Sequence, residues 1–337
     1  MTATVHSLRT AGQPSLDSMM SLVAPDMNGV NAVILERMQS KVALIPELAG
    51  HLIAGGGKRM RPMLTLTCAS LLGYSGNRHQ KLAAAVEFIH TATLLHDDVV
   101  DGSGTRRGKR TANLIWGNPA SVLVGDFLFS RAFELMVEDG SLKVLKILSQ
   151  ASAVIAEGEV EQLTAQRRID TGEEQYLHII GAKTAALFAA ACRIAPVVAE
   201  ASEEAEIALE SYGRNLGIAF QLVDDLLDYT ADQTTLGKPI GSDLREGKVT
   251  LPMILLREHN PDAARPLIDQ IVRDGDVTDE AWRQVSALLR EYDIVPQVTR
   301  RAAEYAAIAR EQLHVFPPSR ERESLISLAD YVLSRDR

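Results

Sequence analysis

Cysteine is scarce in this sequence: only Cys68 and Cys192 occur among 337 residues, and each lies in an apolar stretch. Two isolated cysteines can form neither a disulfide framework nor a cysteine-based zinc site. We therefore predict two small core residues in a reducing compartment. The chain has no apolar run of about 18 residues and no charged head followed by an apolar block at its N-terminus. We expect a cytoplasmic protein without a transmembrane helix or a secretory signal.

A basic surplus is also missing, because 35 Lys and Arg stand against 44 Asp and Glu, for a net charge of −9. This balance disfavours nucleic acid as the main partner. Aromatic residues make up only 5%, and no alternating β-branched runs lie between tight turns, so strands are not expected. The 46% hydrophobic and 23% charged residues are typical of a globular protein and exclude a disordered or fibrous one.

Apolar residues recur at three- and four-residue steps along most of the chain, which predicts an all-α protein. The mid-chain helices are apolar over most of their circumference, as expected inside a large helical bundle. We predict a lead-in over residues 1–14, one domain over 15–337, and polar loops over 102–117 and 231–249. The predicted helical segments are 15–53, 78–101, 119–138, 141–164, 173–200, 203–230, 250–258, 279–292, 295–313 and 321–335.

The pattern DDxxD occurs twice, at residues 97–101 and 224–228, each time at the end of a strongly apolar helix. The first and last Asp of each pattern share a helix face, close to a C-terminus where the helix dipole disfavours negative charge. Carboxylate clusters prefer hard divalent cations such as Mg²⁺, which bridge to phosphate oxygens. The alternative is that the aspartates bind no metal and only form two solvated helix ends. The pattern favours two facing Mg²⁺ sites built from Asp97, Asp98, Asp101, Asp224, Asp225 and Asp228.

Three compact basic loops accompany these clusters, at residues 55–62, 102–108 and 236–248. The first, GGGKRMRP, lacks the hydroxyl residue after Lys that a nucleotide-binding P-loop requires. It also fits a glycine helix stop followed by a proline helix start. In a protein of net charge −9, basic loops beside acidic helix ends indicate ligands the size of a diphosphate.

The chain resembles the trans-isoprenyl diphosphate synthases, and among them the long-chain octaprenyl, nonaprenyl and decaprenyl enzymes that make quinone side chains. The resemblance runs from about residue 15 to the C-terminal LADYVLSRDR and rests on GGGKRMRP, EFIHTATLLHDDVVD, TRRG, GNPASVLVGDFLFSRAF, GEVEQL, KTAALF, GIAFQLVDDLLDY and GKPIGSDLREGK. It implies an isoprenoid synthase fold, with helices around a deep central cavity, and a homodimer. It further implies successive head-to-tail condensation of isopentenyl diphosphate onto an allylic diphosphate primer.

The resemblance also assigns the site residues. It implies an isopentenyl diphosphate site formed by Lys58, Arg61, His90 and Arg107. It implies that the allylic diphosphate is held by Arg106, Lys183, Thr184, Gln221, Lys238 and Lys248. The catalytic set would be Asp97, Asp98, Asp101, Asp224, Asp225, Lys183, Thr184 and Gln221, with about three Mg²⁺ stabilising the departing diphosphate.

The product must grow along an apolar tunnel beneath the first aspartate cluster. Ala92 and Thr93 lie about 6–8 Å below Asp97 along the helix, and because both are small, the tunnel should continue past them. Phe133 and Met136 are candidates for its deeper wall or floor, or for ordinary core packing. The polyprenyl product of such a long-chain enzyme is insoluble in water. We therefore expect transient contact with a membrane, although the protein has no membrane anchor.

Five other functions fit parts of the sequence. A di-iron bundle would use two Glu-x-x-His motifs, and Glu87-x-x-His90 fits one of them. A non-catalytic partner subunit should have lost a motif, whereas both aspartate clusters are whole. A terpene cyclase or head-to-head condensing enzyme has no use for the basic residues at 58 and 61. A shorter-chain synthase, making farnesyl or geranylgeranyl diphosphate, remains the alternative closest to the long-chain prediction.

Overall fold

The structure, a computed structural model, describes residues 16–53, 57–230 and 241–335. The described chain is helical nearly throughout, as predicted, with one two-stranded hairpin. The elements in chain order are α1 (Asp17–Arg37), α2 (Leu44–Ile53), α3 (Met60–Leu71), α4 (Arg78–Val100), β1 (Thr105–Arg106), β2 (Lys109–Arg110), α5 (Ala112–Trp116), α6 (Asn118–Asp139), α7 (Leu142–Ala165), α8 (Glu173–Ile180), a π-helical segment (Gly181–Ala185), α9 (Ala186–Val198), α10 (Glu203–Thr230), α11 (Ser242–Arg245), α12 (Leu251–His259), α13 (Pro261–Asp274), α14 (Asp279–Glu291), α15 (Ile294–Gln312), a 3₁₀ turn (Leu313–Val315) and α16 (Arg320–Ser334).

Helices α4 and α10 form the centre of the bundle, and the two aspartate clusters lie at or near their C-terminal ends. Helix α4 packs along α6, while α10 packs against α9 and α15. Close packing on α9 requires a glycine, since a Cβ at Gly213 would lie 2.5 Å from the carbonyl oxygen of Phe188. Tyr212 is fully buried and donates a 2.8 Å hydrogen bond to the carbonyl oxygen of Leu325 in α16. The central helices are thereby fixed to the last helix.

The N-terminal segment is two helices rather than the single helical stretch predicted over 15–53. The chain leaves the helical conformation after Arg37 and resumes it at Leu44. In the break, the Ser40 hydroxyl accepts a hydrogen bond from the backbone N–H of Val42, which offers the backbone an alternative to helix. Pro46 then falls in the first turn of α2, where a missing N–H costs nothing.

Other segments also differ from the sequence prediction, and α11 lies inside the predicted loop 231–249. The predicted loop 102–117 contains the β1–β2 hairpin and α5, because Arg107 and Gly108 adopt the positive φ values of a tight turn. Helix α13 was not predicted, although Asn260 caps it through the N–H of Ala263. The predicted helix 173–200 is interrupted by the π-helical segment, which is rare and often found at functional sites.

One stretch of the described chain, Glu173–Val198, is long and apolar enough to cross a membrane. Its most apolar window is 72% buried inside the protein. Phe188 and Ala191 within it are completely inaccessible to solvent. The apolar character of this stretch is therefore accounted for by its place in the core.

Candidate active site

Asp98, in the last turn of α4, is the most enclosed carboxylate of the first cluster. Its Oδ1 accepts hydrogen bonds of 3.0 and 2.8 Å from Nε and Nη2 of Arg106 in β1, and its side chain is fully buried. Burial raises the pKa of this carboxyl, and the Arg106 guanidinium opposes the rise. Its other oxygen, Oδ2, is buried without a hydrogen-bond partner. An uncompensated buried oxygen of this kind favours a bound cation.

The other two carboxylates of the cluster lie against lysines from distant parts of the chain. Lys183 Nζ, from the π-helical segment, is 3.5 Å from Oδ2 of Asp97. Lys248 Nζ lies 2.8 Å from Oδ2 of Asp101 and 2.7 Å from Oε2 of Glu246. Burial would lower the pKa of Lys248, but the two carboxylates outweigh it and hold that pKa well above its usual value. Lys248 therefore stays charged beside the first cluster.

Asp225 anchors a buried hydrogen-bond network in the second cluster. Tyr176 donates a 2.6 Å hydrogen bond to its Oδ2, and Gln221 Nε2 donates one of 2.6 Å to its Oδ1. The Gln221 carbonyl oxygen in turn accepts a 2.8 Å hydrogen bond from the Thr184 hydroxyl. Burial, with the Asp225 charge, raises the pKa of Tyr176 well above its ordinary value. The phenol is therefore a permanent donor in this network.

Asp228 and Asp224 make separate contacts. Asp228 is fully buried and accepts hydrogen bonds from the Ser242 hydroxyl and the Asp243 backbone N–H, 3.1 and 3.0 Å long. Asp224 is more exposed and pairs at 3.0 Å with Nη2 of Arg335, just beyond α16. The segment that binds Asp228 continues to the lysine on Asp101, so it connects the two clusters.

An open pocket gathers most of the residues predicted for the allylic diphosphate, along α8, the π-helical segment and α10. Its wall includes residues predicted for the allylic diphosphate site or for catalysis, together with side chains that the sequence prediction did not name. The predicted members are Lys183, Thr184, Gln221, Asp225 and Lys248. The additional members include Tyr176, Ile179, Ile180 and Val249. Lys238, also predicted here, lies outside the described residues.

A second open pocket, between α4 and the β1–β2 hairpin, holds two of the four residues assigned to isopentenyl diphosphate, His90 and Arg107. Its wall includes His90, Asp98, Arg106 and Arg107. The neighbouring Arg61, on α3, approaches His90 with Nη1 at 3.1 Å from Nε2. Since a guanidinium can only donate, the imidazole Nε2 accepts, and His90 is neutral.

Burial and neighbouring charges shift the pKa values of several groups in and beside this second pocket. Burial, and then Arg61 and the other nearby guanidiniums, lower the pKa of His90 well below its usual value. Burial also lowers the pKa of Arg61 to about 10, against the pull of Glu87. Burial raises the pKa of Glu87, and Arg59, Arg61 and Arg107 oppose that rise. A dianionic ligand would relieve the repulsion among these guanidiniums.

Lys58 contacts the last helix instead of lining either pocket. Its Nζ donates a 2.6 Å hydrogen bond to the hydroxyl of Tyr331 and lies 5.2 Å from the centre of that ring. The side chain is flexible, and its loop stands next to Arg59 and Arg61. Its assignment to isopentenyl diphosphate stays a prediction.

The predicted chain-length residues differ in their surroundings, and none of them lines either pocket. Ala92 and Met136 are completely buried, and Thr93 is partly exposed on the helix face of Asp97. Phe133 is 38% exposed on α6, where its ring lies 5.7 Å from that of Phe129. Phe133 therefore does not face the interior of the single chain. Its assignment to the wall or floor of the tunnel stays a prediction, and it requires an assembly in which another chain covers this face of α6.

Several residues of the site were missed by the sequence prediction. Glu159, whose Oε2 lies 2.8 Å from Lys183 Nζ, is part of the GEVEQL motif, so a signal was present. Glu87 was noted only as a possible iron ligand, yet its Oε1 lies 3.4 Å from Nη1 of Arg59. Tyr176 and Arg335 carry no local signal, because only the tertiary fold brings them to the second cluster.

The donor set suits Mg²⁺, although the described residues contain no ready-made group of three Asp, Glu, His or Cys side chains converging on one point. Every aspartate of both clusters is engaged by a cation or a hydrogen-bond donor of the protein. Carboxylate oxygens are nonetheless the preferred ligands of Mg²⁺, and the orphaned Oδ2 of Asp98 needs a partner. The residues therefore fit a divalent cation that replaces some of these contacts.

The chain is similar to known proteins over nearly its whole length. The polyprenyl synthetase family model matches residues 42–289. The chain is 47% identical over 323 residues to the octaprenyl diphosphate synthase of Escherichia coli K12, covering 96% of this chain and all of that one. It superimposes with a TM-score of 0.93 on the polyprenyl synthase of Caulobacter crescentus CB15 in complex with calcium and isoprenyl diphosphate, at 50% identity over 97% of this chain and all of that one. A decaprenyl diphosphate synthase from Rhodobacter capsulatus gives 0.91, at 48% identity over 96% of this chain and all of that one. The resemblance seen in the sequence is confirmed, and the chain belongs to the polyprenyl synthetase family.

Proposed function

We propose that the protein is an all-trans long-chain polyprenyl diphosphate synthase that extends an allylic diphosphate with isopentenyl diphosphate to about forty to fifty carbons. The observation that carries the proposal is the meeting of Lys183, Thr184, Gln221 and Asp225 with Lys248 in one pocket beside the first cluster. The names of the relatives, octaprenyl and decaprenyl diphosphate synthases, support the long product. The resulting polyprenyl group would supply a quinone side chain.

The two pockets would divide the substrates. The allylic diphosphate would lie between the aspartate clusters, where Lys183, Lys248 and Arg106 supply positive charge. Isopentenyl diphosphate would bind beside His90 and Arg107, where the positive charge of several arginines is concentrated. One basic diphosphate site would then lie beside His90 and Asp98 of α4, and the other beside Asp97 and Asp101, which Lys183 and Lys248 contact.

The reaction breaks the C–O bond of the allylic diphosphate and forms a C–C bond with the double bond of isopentenyl diphosphate. The aspartates would hold Mg²⁺, which would supply positive charge to the departing diphosphate. Lys183 and Lys248 then hold that diphosphate in place. The Gln221 carbonyl and the Thr184 hydroxyl present their negative dipole ends to the allylic carbocation. The final proton passes to the released diphosphate, so the site needs no other base.

A primer-extension assay tests this function directly. The purified chain is given radiolabelled isopentenyl diphosphate, a farnesyl primer and Mg²⁺, and the products are separated by chromatography. We expect a product of about forty to fifty carbons and no product after chelation of the metal. A product of twenty carbons or fewer would contradict the long-chain proposal, and an inactive single chain would favour a non-catalytic subunit.

We also propose that the protein is a homodimer in the cytoplasm. Large apolar side chains of α6 and α7 are exposed, with Leu123, Val137 and Val160 more than 60% accessible. Large apolar side chains exposed on these two helices favour burial against a second copy. Light scattering should give twice the chain mass, and Leu123→Glu should lower the measured mass.

Transient contact of the protein with a membrane would be measured as faster turnover in the presence of phospholipid vesicles. An unchanged rate would contradict that contact.

A further inference from the structure

We propose that Gly158 of α7 is a positioning residue that determines where Lys183 stands in the allylic diphosphate site. The proposal rests on the proposed function, since it takes Lys183 as a ligand of the allylic diphosphate. Gly158 itself touches no substrate. It acts by letting α7 approach the π-helical segment Gly181–Ala185 that carries Lys183 and Thr184.

The approach at this point leaves no room for a side chain. A Cβ placed on Gly158 would lie 2.7 Å from Cβ of Ala182 and 3.1 Å from the backbone nitrogen of Lys183. Because one of these neighbours is backbone, a rotamer change cannot relieve the contact. Any larger residue must push the π-helical segment away from α7.

The segment is enclosed by a second glycine from the opposite side. A Cβ on Gly217 of α10 would lie 2.7 Å from Cα of Ala185. The π-helical segment is therefore held between α7 and α10 at two points of backbone contact. An interrupted helix has irregular hydrogen bonding, so its exact position depends on these neighbours.

The residue after Gly158 adds a direct contact to the lysine. Glu159 Oε2 lies 2.8 Å from Lys183 Nζ, and the same Nζ is 3.5 Å from Oδ2 of Asp97. The ammonium thus sits between a carboxylate of α7 and one of α4. A change in the spacing between α7 and the π-helical segment alters both distances together and displaces the charge that meets the diphosphate.

The test is Gly158→Ala, assayed for both substrates. We expect the KM for the allylic diphosphate to rise on the order of tenfold, because a displacement near 1 Å at a positioned group costs between one and two orders of magnitude. The KM for isopentenyl diphosphate should change less than twofold or so, since Lys183 does not line the other pocket. Ala182→Gly, added to Gly158→Ala, removes the clashing Cβ and should restore most of the allylic KM.

Two control variants accompany Gly158→Ala. Gly50→Ala places a Cβ in a helix where no heavy atom lies within 4 Å, so it should leave both KM values unchanged. Lys183→Ala tests the proposed function: an unchanged allylic KM there would remove the role assigned to Lys183, whatever Gly158→Ala does.

Each outcome either supports the positioning role of Gly158 or overturns it. A selective rise that Ala182→Gly reverses supports the proposal. An unchanged allylic KM, or an equal rise of both KM values without rescue, overturns it. If Gly158→Ala does not fold, Ala182→Ser, which enlarges the other side of the same contact, decides: a selective rise supports the proposal and an unchanged allylic KM overturns it.

Discussion

Thr93→Phe should shorten the product. Thr93 stands four residues before Asp97, which places it about 6 Å down the axis of α4 and about 40° round the helix from that carboxylate. Its Cβ is tilted towards the helix N-terminus, away from the aspartates. A phenyl ring at this position would extend into the tunnel that we propose for the growing chain.

The structure distinguishes Thr93 from its neighbour Ala92. Ala92 is 0% exposed, so a phenyl ring there must be forced into a packed interior at a cost of about 1–3 kcal/mol of unfolding free energy. Thr93 is partly exposed and uses its hydroxyl only for a 2.8 Å hydrogen bond to the carbonyl oxygen of His90. We therefore expect Thr93→Phe to fold with little loss and Ala92→Phe to be the less stable variant.

The assay is primer extension with a geranyl primer and radiolabelled isopentenyl diphosphate, followed by chromatography of the products. Thr93→Phe should accumulate a product of about fifteen to twenty carbons, with the first condensation close to the rate of the unmodified protein. Thr93→Val, which keeps the size of the side chain, should retain the long product. A folded Thr93→Phe variant that still makes the full-length product would refute the tunnel beneath Asp97.

Three further changes test other parts of the structure. Tyr176→Phe removes a 2.6 Å hydrogen bond to Asp225 and should lower the free energy of unfolding by about 1.5–3 kcal/mol in urea titrations. Because the pKa of His90 is held low by burial, the unfolded chain takes up its proton first as the pH falls below about 6.5. Stability should then fall by up to about 1.4 kcal/mol per pH unit, and less in His90→Gln. Gly213→Ala, which meets backbone of α9, should cost about 1–3 kcal/mol.

Each of these changes has a matched comparison. Combining Tyr176→Phe with Asp225→Asn should cost less than the sum of the single changes, and additive losses would contradict the hydrogen bond. Identical acid slopes for the unmodified protein and His90→Gln would contradict the lowered pKa. Gly50→Ala should be neutral or stabilising, and an equal loss in both glycine variants would contradict the close contact at Gly213.

The sequence determined the helical class, the family and the identity of the chemical groups. Its DDxxD patterns lie at the ends of α4 and α10, as expected, because helical periodicity is a local property that apolar spacing records. The predicted bounds of α10 agree with the structure, and those of α4 differ by one residue. The break after Arg37 and the hairpin at Arg107 were missed, since they depend on local hydrogen bonds and positive φ values that spacing does not record.

Only the tertiary structure decided which groups meet. Residues far apart in the chain form the contacts of Lys248 with Asp101, of Tyr176 with Asp225 and of Arg335 with Asp224. No local pattern specifies such pairs, because they arise from the packing of whole helices and from backbone approaches that glycine permits. The chain therefore encodes its chemistry in short motifs, while burial and helix spacing set the charges and positions with which those motifs act.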